Sequence, residues 1–153
     1  MLAFFIFIII KTKNTKCRVI IAIAAKCAVV LKQSKVLVLK KTVEEMNGDF
    51  SKSSYDLLGG RVRYGEEVEE ALRRELLEEA GITCEKFNLI TTWPVIRSDG
   101  LQIHIFLYRA DFKGGVITLS SEHDDYQWIS LQDGATSSHP KWITRSISLA
   151  LES

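Results

Sequence analysis

Apolar and polar positions change their period several times along the chain, and each change marks an element. Residues 17–31, "CRVIIAIAAKCAVVL", and 35–41, "KVLVLKK", are β-branched runs separated by the polar "KQS". They predict two strands in a hairpin. Residues 42–54, "TVEEMNGDFSKSS", are polar and turn-rich and predict a loop. After a short apolar approach, "YDLLGG", the period lengthens. Val68, Leu72 and Leu76 recur every four residues, with Ala71 and Ala80 alongside. That is the buried stripe of an amphipathic helix. The helix is expected over 67–80, with Gly81 ending it. Period two then returns in "KFNLITTWPVI" and "LQIHIFLYRADF", two strands joined across the turn signal "RSDG". "GGVITLS" is expected to add a strand, and "SEHDDYQWISL" to be a loop leading into a short one. Trp142, Ile143, Ile147, Leu149 and Leu151 predict a closing helix over 139–153. Strands on both sides of a central helix, with a second helix at the end, indicate an α/β fold: a mixed sheet covered by helices on two faces.

The central helix puts charge where it should bury carbon. Glu75 lies seven residues after Val68 and Glu79 eleven after it. Those separations are close to two and three whole turns, so both carboxylates project along the apolar stripe. Glu78, three residues after Glu75, stands on its edge. Carboxylates crowded at a buried edge repel one another and lose hydration unless a cation sits among them. An all-oxygen set suits Mg²⁺, with Mn²⁺ as substitute, and magnesium favours phosphate ligands. The preceding loop fits this chemistry. Gly59 and Gly60 permit close backbone approach, Gly65 permits a turn, and a carbonyl at the glycine pair offers another hard oxygen. Arg74 can hold a carboxylate by a bidentate pair. Glu67, Glu69 and Glu70 read instead as a solvated acidic face supported by Arg73 and Arg74.

Composition narrows the partners. At 153 residues, with 46% apolar and 25% charged residues, the chain can bury a core as one domain without staples. A net charge of +1 gives no bulk attraction to long nucleic acid or anionic membrane, so an anionic ligand must be held by local features. Cys17, Cys27 and Cys84 are odd in number and form no C-x-x-C. They read as small buried hydrophobes in a reducing, cytoplasmic setting rather than a disulfide framework or zinc site. Residues 1–16, "MLAFFIFIIIKTKNTK", stand apart from the expected domain over 17–153. Their apolar run is about half a membrane span, and their basic residues follow it instead of preceding it as in a secretory signal. A dispensable extension, an added edge strand, a membrane or partner contact and a cleaved address all stay open. Stable membrane insertion is not expected, and a homodimer is compatible with the chain.

Residues 60–82 match G-x5-E-x7-R-E-U-x-E-E-x-G-U, with U aliphatic, through Gly60, Glu66, Arg74, Glu75, Leu76, Glu78, Glu79, Gly81 and Ile82. Seven fixed residues at ~7% usage each give a chance match on the order of 10⁻⁸ per starting point. The chain therefore resembles the Nudix family. The resemblance implies a Nudix-type α/β/α sandwich with a mixed β-sheet, and metal-dependent hydrolysis of a nucleoside diphosphate linked to another moiety. It implies Glu78 and Glu79 as principal metal ligands, with Glu75 as a further ligand or the group that activates water. It assigns the Gly59 carbonyl to the metal shell, and Gly60, Glu66, Arg74 and Gly81 to shaping the loop and helix. A later carboxylate often completes such sites; Glu122 is the candidate, with Asp124 and Asp125 behind it. Two prolines common in the family are replaced by Leu58 and Tyr64, which loosens the loop without removing a ligand.

Substrate marks are sparse. ADP-ribose-cleaving relatives tend to carry a proline roughly sixteen residues past the box, and dinucleoside-polyphosphate relatives a tyrosine near there. Here Pro94 comes too early and Arg97-Ser98-Asp99 fills the place. The expectation is a MutT-like pyrophosphohydrolase of nucleoside triphosphates, including oxidised ones. An ADP-ribose or nucleotide-sugar pyrophosphatase is the alternative, and a nucleotide sensor without turnover is the alternative of another class. Trp93, Phe106, Tyr126 and Trp128 are candidates to stack on a base. His104 shares a side with Gln102 and Phe106 by period two and reads either as a core histidine or as pocket lining. His123 reads as a loop residue and His139 as a helix-start residue.

Overall fold

The computed structural model describes residues 21–30, 33–48, 53–136 and 139–153. The expectations for residues 1–16 and Cys17 lie outside the described residues. The elements in order are β1 (Ile21–Val30), β2 (Val36–Lys41), α1 (Val43–Gly48), β3 (Tyr55–Asp56), α2 (Val68–Ala80), β4 (Thr83–Ile96), β5 (Gln102–Gly114), β6 (His123–Ile129), α3 (Leu131–Thr136) and α4 (Lys141–Glu152).

The sheet is mixed, in the order β3-β2-β1-β5-β4, with β6 also paired to β2. β1 and β5 run parallel from Ile21↔Gln102 to Val30↔Asp111, and every other pair is antiparallel. The β4–β5 hairpin turns where "RSDG" predicts. Gly100 adopts a φ of 83°, and the Gly100 N–H donates to the Arg97 carbonyl at 2.9 Å.

Alternate residues of β1 feed two cores. Ala25, Cys27 and Val29 pack with Leu72, Leu76 and Ala80 of α2. Ala28 and Val30 pack with Leu107 and with Ile143, Ile147 and Ala150 of α4. One helix thus covers each face, as the pattern predicts. α2 ends as expected: Gly81 is left-handed at a φ of 66°, and the Gly81 and Ile82 N–H groups cap the Leu77 and Leu76 carbonyls.

Four local expectations are corrected. The expected β1–β2 hairpin pairs only at Val30↔Val36, because another segment takes the rest of the β1 edge. Within the expected 42–54 loop, residues 43–48 form a helical turn that buries none of its residues. Residues 115–120 form no strand. Their N–H groups instead satisfy orphan carbonyls at the α2 C-terminus, with Thr118 donating to Ala80 O at 2.9 Å and Ser120 to Glu79 O at 3.0 Å. The strand expected to be short, β6, runs seven residues and begins at His123. No helix among the described residues is long and apolar enough to cross a membrane.

Candidate active site

The segment that displaces β2 from β1 is the glycine loop. Ala25 N–H donates to Gly60 O at 2.9 Å, Cys27 N–H to Leu58 O at 2.7 Å, and Val62 N–H to Ile23 O at 3.0 Å. Gly59 sits at a φ of 124°, and a Cβ there would fall 2.2 Å from the Ala25 carbonyl oxygen. Only glycine fits so close to a strand in that conformation. The Gly59 N–H donates to Glu79 Oε2 at 2.8 Å. A Cβ on Gly60 would lie 2.7 Å from the Glu75 carboxyl. The glycine pair therefore touches carboxylates on two successive turns of α2.

Arg74 organises the outer carboxylates. Its Nε and Nη2 donate to the two Glu66 oxygens at 2.8 and 3.0 Å, the bidentate pair its sequence position suggests. Its Nη1 donates to Glu75 at 2.6 Å and to Glu78 at 3.1 Å, and Nη2 also reaches the Arg61 carbonyl at 3.1 Å. Glu66 further accepts the Arg63 N–H at 2.8 Å. The Arg74 hydrogen bonds hold the Glu66 carboxyl down at about 2. Glu78 stands half-exposed on this side, with Arg63 at 3.7 Å.

Glu79 is partly buried beneath the glycine loop. Loss of hydration pushes its carboxyl up to about 8, against the pull of Lys26 and the Gly59 N–H. The Lys26 ammonium, on β1, contacts Asp56 at 2.9 Å, the Leu57 carbonyl at 3.3 Å and the Gly59 carbonyl at 3.1 Å. Buried Lys41 lies 3.4 Å from the same Asp56 carboxylate. The Gly59 carbonyl that the resemblance assigns to a metal is thus engaged by Lys26. Sequence reasoning missed Lys26 and Asp56. The signal for Lys26 was there, a lone cation inside the apolar run "IAIAAKCAVV".

The strap over the α2 C-terminus delivers Glu122. Its carbonyl accepts the Thr42 N–H at 2.9 Å. Ligating atoms of Glu79, Glu122 and His123 all lie within 4.8 Å of one another. Burial raises the Glu122 carboxyl, with Glu45 and Glu75 adding to it. His123, expected in a loop, is a buried strand residue, and burial lowers it to about 4. Two carboxylates and an imidazole converging on one point are donors suited to a divalent ion. Glu75 and Glu78 are not in this cluster; they stand on the Arg74 side. Asp124 faces Lys40 at 3.9 Å, and Asp125 accepts the Tyr126 N–H, so neither belongs to the cluster.

Beside the glycine pair a cavity of about 480 Å³ opens on the α4 face of the sheet. Its lining includes Lys26, Lys41, Glu45, Asp56, Gly60 and Arg61 on one part, and Trp93, Val95, Arg97, Ile103, Ile105 and Trp142 on another. Of the base-stacking candidates, Trp93 lines this cavity, and His104 and Phe106 do not. Their rings lie 5.4 Å apart, and by period two they project from the face opposite Ile103 and Ile105. Trp128 packs edge-on against Phe112 at 6.0 Å, and Tyr126 is exposed. Trp142, expected only as an apolar position of the closing helix, also lines the cavity.

Three kinds of likeness agree with this geometry. The family model described as NUDIX domain matches residues 22–148. The chain is 30% identical over 115 residues to the human protein named 8-oxo-dGDP phosphatase NUDT18, covering 75% of this chain and 31% of that one. It is 34% identical over 85 residues to a zebrafish protein named oxidized purine nucleoside triphosphate hydrolase, covering 54% of this chain and 53% of that one. The chain thus spans about a third of the human relative's length. A crystal structure of a MutT NUDIX hydrolase from Burkholderia pseudomallei superposes with a TM-score of 0.67 at 26% identity, covering 86% of this chain and 96% of that one.

Proposed function

The chain belongs to the Nudix family, and we propose that it is a Mg²⁺-dependent pyrophosphohydrolase of nucleotides, acting on oxidised purine nucleoside di- or triphosphates. The observation that carries the reading is the position of the glycine pair. Gly60 lines the cavity and lies against Glu75, while Gly59 binds Glu79. A diphosphate lying over these glycines would meet the carboxylate edge of α2 on one side, with its nucleoside in the cavity. The relatives named for 8-oxo-dGDP and for oxidised purine triphosphates favour this substrate class over ADP-ribose.

In this reading Glu79 and Glu122 hold the ion, with the Gly59 carbonyl available once Lys26 leaves it and Glu78 once Arg74 releases it. The ion, when bound, supplies charge neutralisation of the diphosphate and activation of water. Glu75 takes the proton of the attacking water, and Arg74 fixes its orientation. Glu66 and Gly81 keep Arg74 and the helix end in place. Lys26, Arg61 and Arg97 give the cavity its attraction for anions. Trp93 and Trp142 stack on or flank the base, a role this reading does not give to His104 or Phe106. The catalytic unit is residues 17–153. Its free, buried Cys27 and Cys84 suit a reducing cytoplasm. Every assigned group comes from one chain, so a homodimer is not required.

The test is a product-resolved hydrolysis screen with Mg²⁺, run on wild type and Glu79→Gln. It would offer unmodified dNTPs, 8-oxo-dGTP, 8-oxo-dGDP, ADP-ribose and a dinucleoside polyphosphate. Monophosphate release from oxidised purine nucleotides, lost in Glu79→Gln, is the expected result. Turnover confined to ADP-ribose would overturn the substrate assignment. Nucleotide binding without turnover would make the domain a sensor.

A further inference from the structure

We propose that His123 is a nitrogen ligand of the metal centre, making it a mixed nitrogen–oxygen site that accepts Mg²⁺ but binds Mn²⁺ more tightly. The proposal rests on the reading that Glu79 and Glu122 bind a divalent ion. Around an octahedral ion, neighbouring donors stand roughly 3 Å apart and opposite donors about 4.3 Å apart. One ring nitrogen of His123 and one oxygen each of Glu79 and Glu122 all fall within 4.8 Å of one another, so the three can share one ion.

The state of the imidazole points the same way. His123 is only 7% exposed, and its Nδ1 is buried with no hydrogen-bond partner among the described residues. A buried polar atom left unpaired is costly, and an ion held by this ring beside Glu79 and Glu122 would remove that cost. The ring is positioned by backbone. The His123 N–H donates to Ser120 O at 3.3 Å, and the adjoining Glu122 carbonyl accepts from Thr42. Opposite His123 is Lys41, where the β2–β6 register shifts. Such a bulge re-aims a side chain and is common beside functional sites.

The chemical consequence is selectivity. Magnesium favours an all-oxygen shell, whereas imidazole suits first-row transition ions. Replacing one oxygen donor by nitrogen lowers the preference for Mg²⁺.

The experiment uses the whole chain loaded with Mn²⁺ alone. Electron spin echo envelope modulation reads ¹⁴N bound directly to the ion, and calorimetry reads Mn²⁺ and Mg²⁺ affinities. Wild type should show imidazole nitrogen modulation that His123→Gln lacks, while a His104→Gln, His139→Gln double variant retains it. His123→Gln should lose about tenfold or more in Mn²⁺ affinity and less than about threefold in Mg²⁺ affinity. Mn²⁺ bound to wild type without nitrogen modulation overturns the proposal and leaves the carboxylate site standing. Failure of wild type to bind either ion overturns the metal reading itself. The wild-type spectrum decides the matter even if His123→Gln does not fold.

Discussion

Replacing Glu79 with glutamine should stabilise the metal-free protein at alkaline pH while abolishing its turnover. Burial raises the Glu79 carboxyl from 4.5 to about 8 in the folded chain. Between those values the folded state holds a proton that the unfolded state has released. Stability is therefore lost as pH rises through the window. At about 1.4 kcal/mol per pH unit, the accumulated cost near pH 8 is about 4 kcal/mol, of which about 1.5 kcal/mol arises between about pH 6.5 and 8. Glutamine has the same shape and no charge to desolvate, so it escapes this cost.

The assay is urea unfolding with a chelator present, on wild type and Glu79→Gln, at several values across that interval. His123 has the opposite sign. Burial lowers it to about 4, so its destabilising effect appears only as pH falls below its ordinary range and cancels between the two proteins. The advantage of Glu79→Gln should grow by about 1.5 kcal/mol from about pH 6.5 to 8. Mg²⁺ should remove the wild-type loss, because an ion that binds only the folded, ionised site stabilises by mass action. Parallel pH profiles for the two proteins would refute the burial argument for Glu79.

Four further outcomes follow from contacts already described. Arg74→Lys should lower kcat and weaken the acid limb of a stability profile. Glu66 is held at about 2 chiefly by Arg74, so wild-type stability from this pair is full above about pH 4.5 and lost as pH falls toward 2, and the lysine variant should lose it at higher pH by circular-dichroism melts. Gly59→Ala should destabilise by more than about 2 kcal/mol in urea unfolding, because its Cβ meets backbone at 2.2 Å in a conformation that L residues avoid. Gly60→Ala should fold nearly normally but lose kcat, since its Cβ meets only the movable end of Glu75. Trp93→Leu should raise KM for a purine nucleotide about threefold to tenfold, with kcat within about twofold in steady-state kinetics, as expected for loss of a stacking contact.

The parts of the fold that rest on local periodicity were legible. The α2 stripe, its glycine stop and the β4–β5 hairpin are each decided by neighbours within a few residues, and the same arithmetic put Glu75 and Glu79 on the buried side of the helix. Residues 115–120 carry the β-branched pattern of a strand but lie where α2 leaves carbonyls unpaired, and tertiary hydrogen bonding won over propensity. His104 and Phe106 show a limit of another kind. Period two establishes that two residues share a face; it does not say which face meets the cavity. His123 stands 44 positions after Glu79 in the sequence, and only the strap across the helix end makes them neighbours.

The most consequential gap concerns charge. Carboxylates on a buried stripe demand a cation, and a metal is one answer to that demand. The protein itself supplies three other answers. Arg74 meets Glu66, Glu75 and Glu78; a retained proton relieves Glu79; and Lys26, from the neighbouring strand, takes the Gly59 carbonyl at 3.1 Å and offsets the cost at Glu79. A divalent ion that uses that carbonyl must displace the Lys26 ammonium and the Glu79 proton together. Metal affinity is then set by competition within the protein as much as by the number of ligands. Neutralising Lys26 without replacing its contacts would leave Asp56 to Lys41 and take the ammonium from the Gly59 carbonyl, and would strengthen metal binding only as far as the loop kept its place.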